Sequence, residues 1–272
     1  MAMADRHPVN ASSAALVRGI ARAGDLDCYL AALLAPRSAR ADLITLTAFL
    51  GEIARIPDLV NEPMMGEIRL QWWRDLLERE HAEASTGSPV ADALLDVIAR
   101  RDLPLAWFHA FLDAHACGLT PDGLALDEGL DSYLDAADGT AFRLAARILV
   151  GEADAGTEML QAAGRAWGRV RLLRGLPKAL AKGRRPLPIA AADWGAASGP
   201  LLEGGKVWLQ EARSALAGAP AGVLPAVLPL ALVEPYLKVL QGLGPEIARV
   251  KADISPLTRV LRLWLASTRR RI

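Results

Sequence analysis

Apolar residues recur along this chain at intervals of three and four rather than at alternate positions, the spacing of helices that bury one face. Residues 1–15 are small or polar and are expected to form a flexible tail. The pattern begins near Leu16 and predicts helices over 26–34, 38–56, 64–84, 89–101, 104–116, 127–150, 155–181, 206–217, 226–242, 244–251 and 256–270. Turn-forming stretches such as "APRS", "IPDLVNEP", "LTPDG" and "GAPAG" separate them. No segment of roughly 20–50 residues repeats, which disfavours a solenoid. Long helices with short connections fit a single all-α bundle over 16–272.

Composition agrees with that reading. Ala and Leu dominate, only 5% of residues are aromatic, and 52% are hydrophobic, ample for a large core in 272 residues. Lys+Arg and Asp+Glu each number 31, so no global field draws in nucleic acid and any anion site must be local. Cys28 and Cys117 lie in apolar helical contexts without CxxC spacing, as reduced core residues of a cytoplasmic protein would. No secretory signal pattern opens the chain. The uncharged run Ser214–Val233 is long enough to cross a bilayer, but it holds Pro220, Pro225 and Pro229 with Gly218 and Gly222. It is expected to be a loop leading into a buried helix.

Candidate chemistry is sparse. In "WFHAFLDAHAC", His109 and Asp113 are four apart, but His115 lies about 200° further round the helix, so three-point metal ligation fails. Hydrolase and nucleotide-binding motifs are absent. Arg171, Arg174, Lys178 and Lys182 fall at spacings of three and four, extended by Arg184 and Arg185, with few acids among them. This stripe reads as a solvated face, as an anion site for phosphate or lipid headgroups, or as a protein-docking face. Gly175 and Pro177 are at odds with a purely structural helix there. In "ISPLTRVLRLWLASTRRRI", Leu257, Val260, Leu261, Trp264 and Leu265 share one stripe beside several arginines. Packing of that stripe on the bundle is preferred over contact with an anionic membrane. In "AFLGEIARIPDLVNEPMMGEIRLQWW", Asp58 is an isolated acid directly after Pro57.

Several segments in order resemble the squalene/phytoene synthase family, an all-α branch of the isoprenyl diphosphate synthases. They are "CYLAALLAPRSARADLITLTAF", "RLQWWRDLLE", "YLDAADGTAFRLAARILVG" and "LLRG…KGRRPLP", together spanning roughly residues 26 to 190. In that family two Asp-rich helical motifs hold Mg²⁺ ions that bind prenyl diphosphates. The resemblance places the first motif on Ala54, Arg55 and Asp58, where one acid remains, and the second on Gly175 and Ala179, where none does. Arg55, Arg171, Arg174, Lys178, Lys182 and Arg184 then stand as anion-binding candidates. No metal and no cofactor is expected, Mg²⁺ being implied only if the chain is an active transferase.

One branch of the family, resembling the mitochondrial complex I assembly factor with a phytoene-synthase-like domain, shows the same erosion. Its pattern matches "AF…EIA…D…GEIRLQWW", and its ending is similar to "LPLALVEPYLKVLQ" and "PLTRVLRLWLAS". The resemblance implies a non-catalytic assembly or chaperone factor for respiratory complex I. Arg69, Gln71, Trp72 and Trp73 would offer a partner surface to a complex I subunit or assembly intermediate. It further implies a cytoplasmic bacterial protein, peripheral at the inner face of the inner membrane, with a prenyl or anionic lipid as a further ligand. The alternatives are a squalene/phytoene synthase-type transferase and a carrier of a prenyl or quinone tail.

Overall fold

The computed structural model of the chain describes residues 11–60, 62–79, 85–119, 129–151, 156–184, 194–220 and 222–272. Described residues form helices and turns with no strand. The first six helices are α1 (Ala11–Gly24), α2 (Leu26–Leu33), α3 (Arg37–Leu59), α4 (Pro63–Leu77), α5 (Pro89–Arg101) and α6 (Leu105–Cys117). The central part holds α7 (Gly129–Leu134), a π-turn (Asp135–Gly139), α8 (Thr140–Val150) and α9 (Thr157–Ala181). The last part holds α10 (Trp194–Ala197), α11 (Gly199–Leu216), α12 (Leu224–Val227), α13 (Val233–Leu243) and α14 (Pro256–Arg269).

Helix starts follow local chemistry. Asp25, Ser88 and Ser255 each accept a backbone N–H of the first turn of α2, α5 and α14. Pro63, Pro89 and Pro256 sit in first turns, where no intrahelical donor is lost. Pro57 and Pro177 lie inside α3 and α9, which nonetheless run through to Leu59 and Ala181. The disturbance expected at Gly175 and Pro177 does not end the helix.

Other boundaries differ from the periodicity. The first helix begins at Ala11, within the expected tail, and residues 1–10 lie outside the described set. The predicted helix over 127–150 divides at the π-turn. There α9 presses close: a Cβ on Gly164 would stand 2.3 Å from the Gly139 nitrogen, and one on Gly168 would stand 2.6 Å from an Asp138 carboxylate oxygen. The Thr140 hydroxyl donates to the Asp135 carbonyl at 3.3 Å, five residues back, satisfying a carbonyl in this widened turn. The stretch over 226–242 opens with a 3₁₀ turn (Leu228–Leu232) before α13, and 244–251 reduces to another (Gly244–Ala248). One helical stretch among the described residues, Leu224–Ala248, is long and apolar enough to cross a membrane by length and composition. Val227, Leu228, Leu230, Leu232, Val233 and Tyr236 are instead buried in the core.

The core has two halves. One gathers α9, α11 and residues 223–240 around Trp167 and Tyr236. The other gathers α1, α3, α5 and α6 around Phe49, whose ring meets Trp73 at 4.9 Å and Phe108 at 5.5 Å, both edge-on. Between them stands α8, giving Phe142 and Ala146 to the first half and Leu144 and Ile148 to the second.

Candidate functional site

The bundle keeps a cavity of about 730 Å³ between the two halves of its core. Its inner wall is apolar, with Ala31, Leu43, Leu46, Phe142, Trp167 and Leu172. Its other wall is charged and comes from α2, the ends of α3 and α9, the π-turn and the start of α14. The positions that the family resemblance gives to its two motifs meet here: Ala54, Arg55 and Asp58 from α3, Gly175 and Ala179 from α9.

The basic stripe of α9 is not free charge. Arg171 forms a two-pronged pair with Asp138 of the π-turn, at 2.8 and 2.7 Å. Arg174 donates to Asp27 of α2 at 3.1 Å and lies 3.8 Å over the Tyr236 ring. Lys178 and Arg184 hold the two carboxylate oxygens of Asp58 at 2.7 and 2.6 Å, and Lys182 donates to the Asp58 backbone carbonyl. The acids missing from the local sequence thus arrive from other helices. Asp58 joins the end of α3 directly to the end of α9 and the residues that follow it.

A buried polar cluster closes another side of the cavity. Asp27, 2% exposed, accepts from Arg174, from Arg259 of α14 and from the Tyr236 hydroxyl at 2.7 Å. Arg259 also donates to the Tyr236 oxygen at 3.0 Å and to Asp253. Burial, then the Asp27 charge, pushes the Tyr236 phenol up, so it stays a donor. Asp25 caps α2 at 2.9 Å, and burial, then Asp27, raises its carboxyl. Burial also raises the neighbouring Cys28 thiol, which disfavours a thiolate.

Other expectations shift. Trp73 is 5% exposed and belongs to the core; of the expected partner surface, Trp72, Arg69 and Gln71 remain outside, Gln71 donating to Asp75 at 2.6 Å. Lys182 and Arg184 border a second, smaller cavity of about 230 Å³, while Arg185 lies outside the described residues. Cys117 is exposed and Cys28 half-buried, so neither is a fully buried core residue. Asp113 pairs with Arg74 at 2.8 Å, and His115 is buried with Nδ1 2.9 Å from the Phe111 carbonyl. Burial, then Arg171, lowers the His115 pKa to about 4, so it is neutral at pH 7. Among the described residues no three His, Cys, Asp or Glu side chains are placed to hold a metal.

Sequence reasoning passed over Asp25, Asp27, Asp138, Tyr236 and Arg259. The only signal was acids within the apolar runs "GDLDCYL" and "LDAADGT", where a buried charge requires a partner. Nothing local named those partners.

The profile of squalene/phytoene synthase matches residues 21–196. The NADH dehydrogenase (ubiquinone) complex I assembly factor 6 of Mus musculus is 24% identical over 267 residues, covering 92% of this chain and 80% of its own. That of Bos taurus is 25% identical over 265 residues, covering 89% and 79%. Among solved structures, a ligand-bound dehydrosqualene synthase superposes with a TM-score of 0.76 at 14% identity, covering 95% of this chain and 96% of its own. The squalene synthase HpnC from Alicyclobacillus acidocaldarius superposes at 0.68 with 18% identity, covering 86% and 94%. Such structural likeness speaks for the fold alone. With its helical bundle, its cavity between α3 and α9, and a profile match over residues 21–196, the chain belongs to the squalene/phytoene synthase family.

Proposed function

We propose that this chain is a non-catalytic member of its family that works by binding, as an assembly or chaperone factor for respiratory complex I. The observation that carries the reading is the Asp58 junction. Where the family resemblance calls for acids on both helices, one carboxylate remains, and two cations already hold it within 2.7 Å. Mg²⁺ requires an octahedral set of oxygens, and cations beside the site repel it. The residues present do not fit the Mg²⁺ ions of active synthases. The relatives that align over most of both chains are named complex I assembly factor 6, which supports the same reading.

The partner in this reading is a complex I subunit or assembly intermediate. With Trp73 in the core, the exposed apolar residues Met64, Met65 and Ile68 of α4 extend the surface that Arg69, Gln71 and Trp72 keep. The corresponding place is the cytoplasm of a bacterium, peripheral at the inner face of its inner membrane. Deleting the gene is expected to lower assembled complex I on native gels and NADH-dependent quinone reduction in membranes. Normal levels of both in the deletion strain would sink the proposal.

The cavity favours a second, compatible reading: a carrier of a neutral prenyl or quinone tail. Its volume is that of a small-molecule site, its inner wall is apolar, and Arg171, Arg174 and Lys178 of α9 on its other wall each already meet a carboxylate. The purified protein is expected to release no pyrophosphate from farnesyl diphosphate with Mg²⁺. Release above a heat-denatured control would restore the transferase reading, and absence of any co-purifying lipid by native mass spectrometry would count against the carrier.

A further inference from the structure

Helix α14 faces the opposite way from its sequence expectation. Its buried side is Arg259, Leu263 and Ala266, and Arg259 is fastened to Asp27, Asp253 and Tyr236. Leu257, Val260, Leu261 and Trp264 point outward, with 75%, 54%, 47% and 52% of their surfaces exposed. These four stand at i, i+3, i+4 and i+7, a continuous apolar stripe on one face of the helix. A helix normally buries such a stripe. Here a buried ion-pair cluster takes the inward place and leaves the stripe in water.

The charges that α14 and the residues after it carry are of one sign. Residues 256–272 contain five arginines and no acid. Arg269, Arg270 and Arg271 are exposed at the end of the helix, and Arg262 beside the stripe meets Glu234 at 3.7 Å. Arg213 donates to the Ile272 carbonyl at 2.8 Å, which keeps the three arginines near the end of α14. An exposed apolar stripe holding a tryptophan, on a segment whose own charges are all cationic, has the composition of a helix lying in the headgroup region of an anionic bilayer.

We infer that α14 is a membrane-docking helix that seats Leu257, Val260, Leu261 and Trp264 in an anionic bilayer while its arginines meet lipid phosphates. This names the element behind the peripheral placement proposed above. The two proposals fail separately, because docking is measured on purified protein and complex I in cells. Lys251, Asp253 and Arg259, at the base of α14, line the cavity. Docking therefore brings the cavity close to the membrane surface, where an apolar ligand is concentrated.

The test is co-sedimentation with vesicles of phosphatidylcholine containing phosphatidylglycerol, against pure phosphatidylcholine, at low and high salt. Binding to the anionic vesicles, weakened by salt, is expected. Replacing Arg269, Arg270 and Arg271 by serine is expected to lower partitioning about a hundredfold, since each cation near an anionic surface contributes about fivefold. Leu261→Glu with Trp264→Glu is expected to abolish it with at most a small shift in the circular dichroism melt, because both side chains lie on the outer face of α14 and are about half exposed. Brominated lipid is expected to quench the native protein more than Trp264→Phe, a readout independent of the charged variants. Equal binding by the native protein and both variants, or none by the native protein, refutes the inference. So does a dimer in light scattering that the double variant dissociates, which would make the stripe a contact between copies.

Discussion

Asp27 and Asp58 are carboxylates with several cationic partners in very different surroundings. Asp27 is sealed beneath Arg174, Arg259 and Tyr236, whereas Asp58 sits at the rim with the largely exposed Lys178. Removing a buried partner strands the remaining charges in a poorly polarisable interior, while at the rim water takes its place. Asp27→Ala is expected to lower the unfolding free energy by about 3–5 kcal/mol. Asp58→Ala should cost about 1 kcal/mol or less. Urea denaturation of the two variants measures the contrast, and equal losses would mean that the rim is as dry as the core.

His115 offers a pH-dependent counterpart. Its Nδ1 faces only a carbonyl, so it carries the proton, and burial plus nearby Arg171, partly offset by Asp138, holds its pKa near 4 against an ordinary 6.5. The unfolded chain therefore binds a proton that the folded one refuses. Stability from this residue is full above about pH 6.5 and is lost as pH falls towards 4, by about 3 kcal/mol. Urea midpoints between pH 4 and 7 should fall more steeply for the native chain than for His115→Gln. From the sequence Asp58 was legible as an isolated acid beside Pro57 at the position of the first motif, though its cationic partners were not. Asp27 was not, since its partners stand 147, 209 and 232 residues away in the chain.

At the scale of elements, α9 carries the site and its glycines divide by environment. Gly164 leaves no room for a Cβ against the π-turn, while Gly175 is exposed with nothing within 4 Å. Gly164→Ala is expected to destabilise by about 1–3 kcal/mol and to displace Asp138 from Arg171. Gly175→Ala should stabilise by about 0.5–1 kcal/mol, since an open helical glycine only loses backbone entropy. Thermal melts of the pair check both signs. Periodicity found most of the long helices, and the positions that motif order gives to the family's two motifs meet in one cavity. It could not assign the orientation of α14, because a repeat of three and four says which residues share a face, not what that face meets. The π-turn was hidden for a related reason: it is shaped by a close approach from α9, not by its own residues.

For the whole molecule, equal numbers of acids and bases concealed an ordered arrangement. Near the cavity several charges are matched across helices, Arg171 with Asp138, Arg174 with Asp27 and Arg184 with Asp58, while the lining as a whole holds more cations than acids. The outer face of α14 is a region where the balance is broken, with arginines and no acid over residues 256–272.

The Asp58 junction also fixes what the cavity mouth responds to. Helices bridged through divalent ions loosen when a chelator takes the metal away. Here α3 and α9 are fastened by the chain's own charges at a partly hydrated rim, where dissolved ions shield attraction. On the proposed non-catalytic reading the mouth is therefore expected to answer to ionic strength rather than to magnesium supply: a chelator should leave the fastening untouched, and concentrated salt should loosen it.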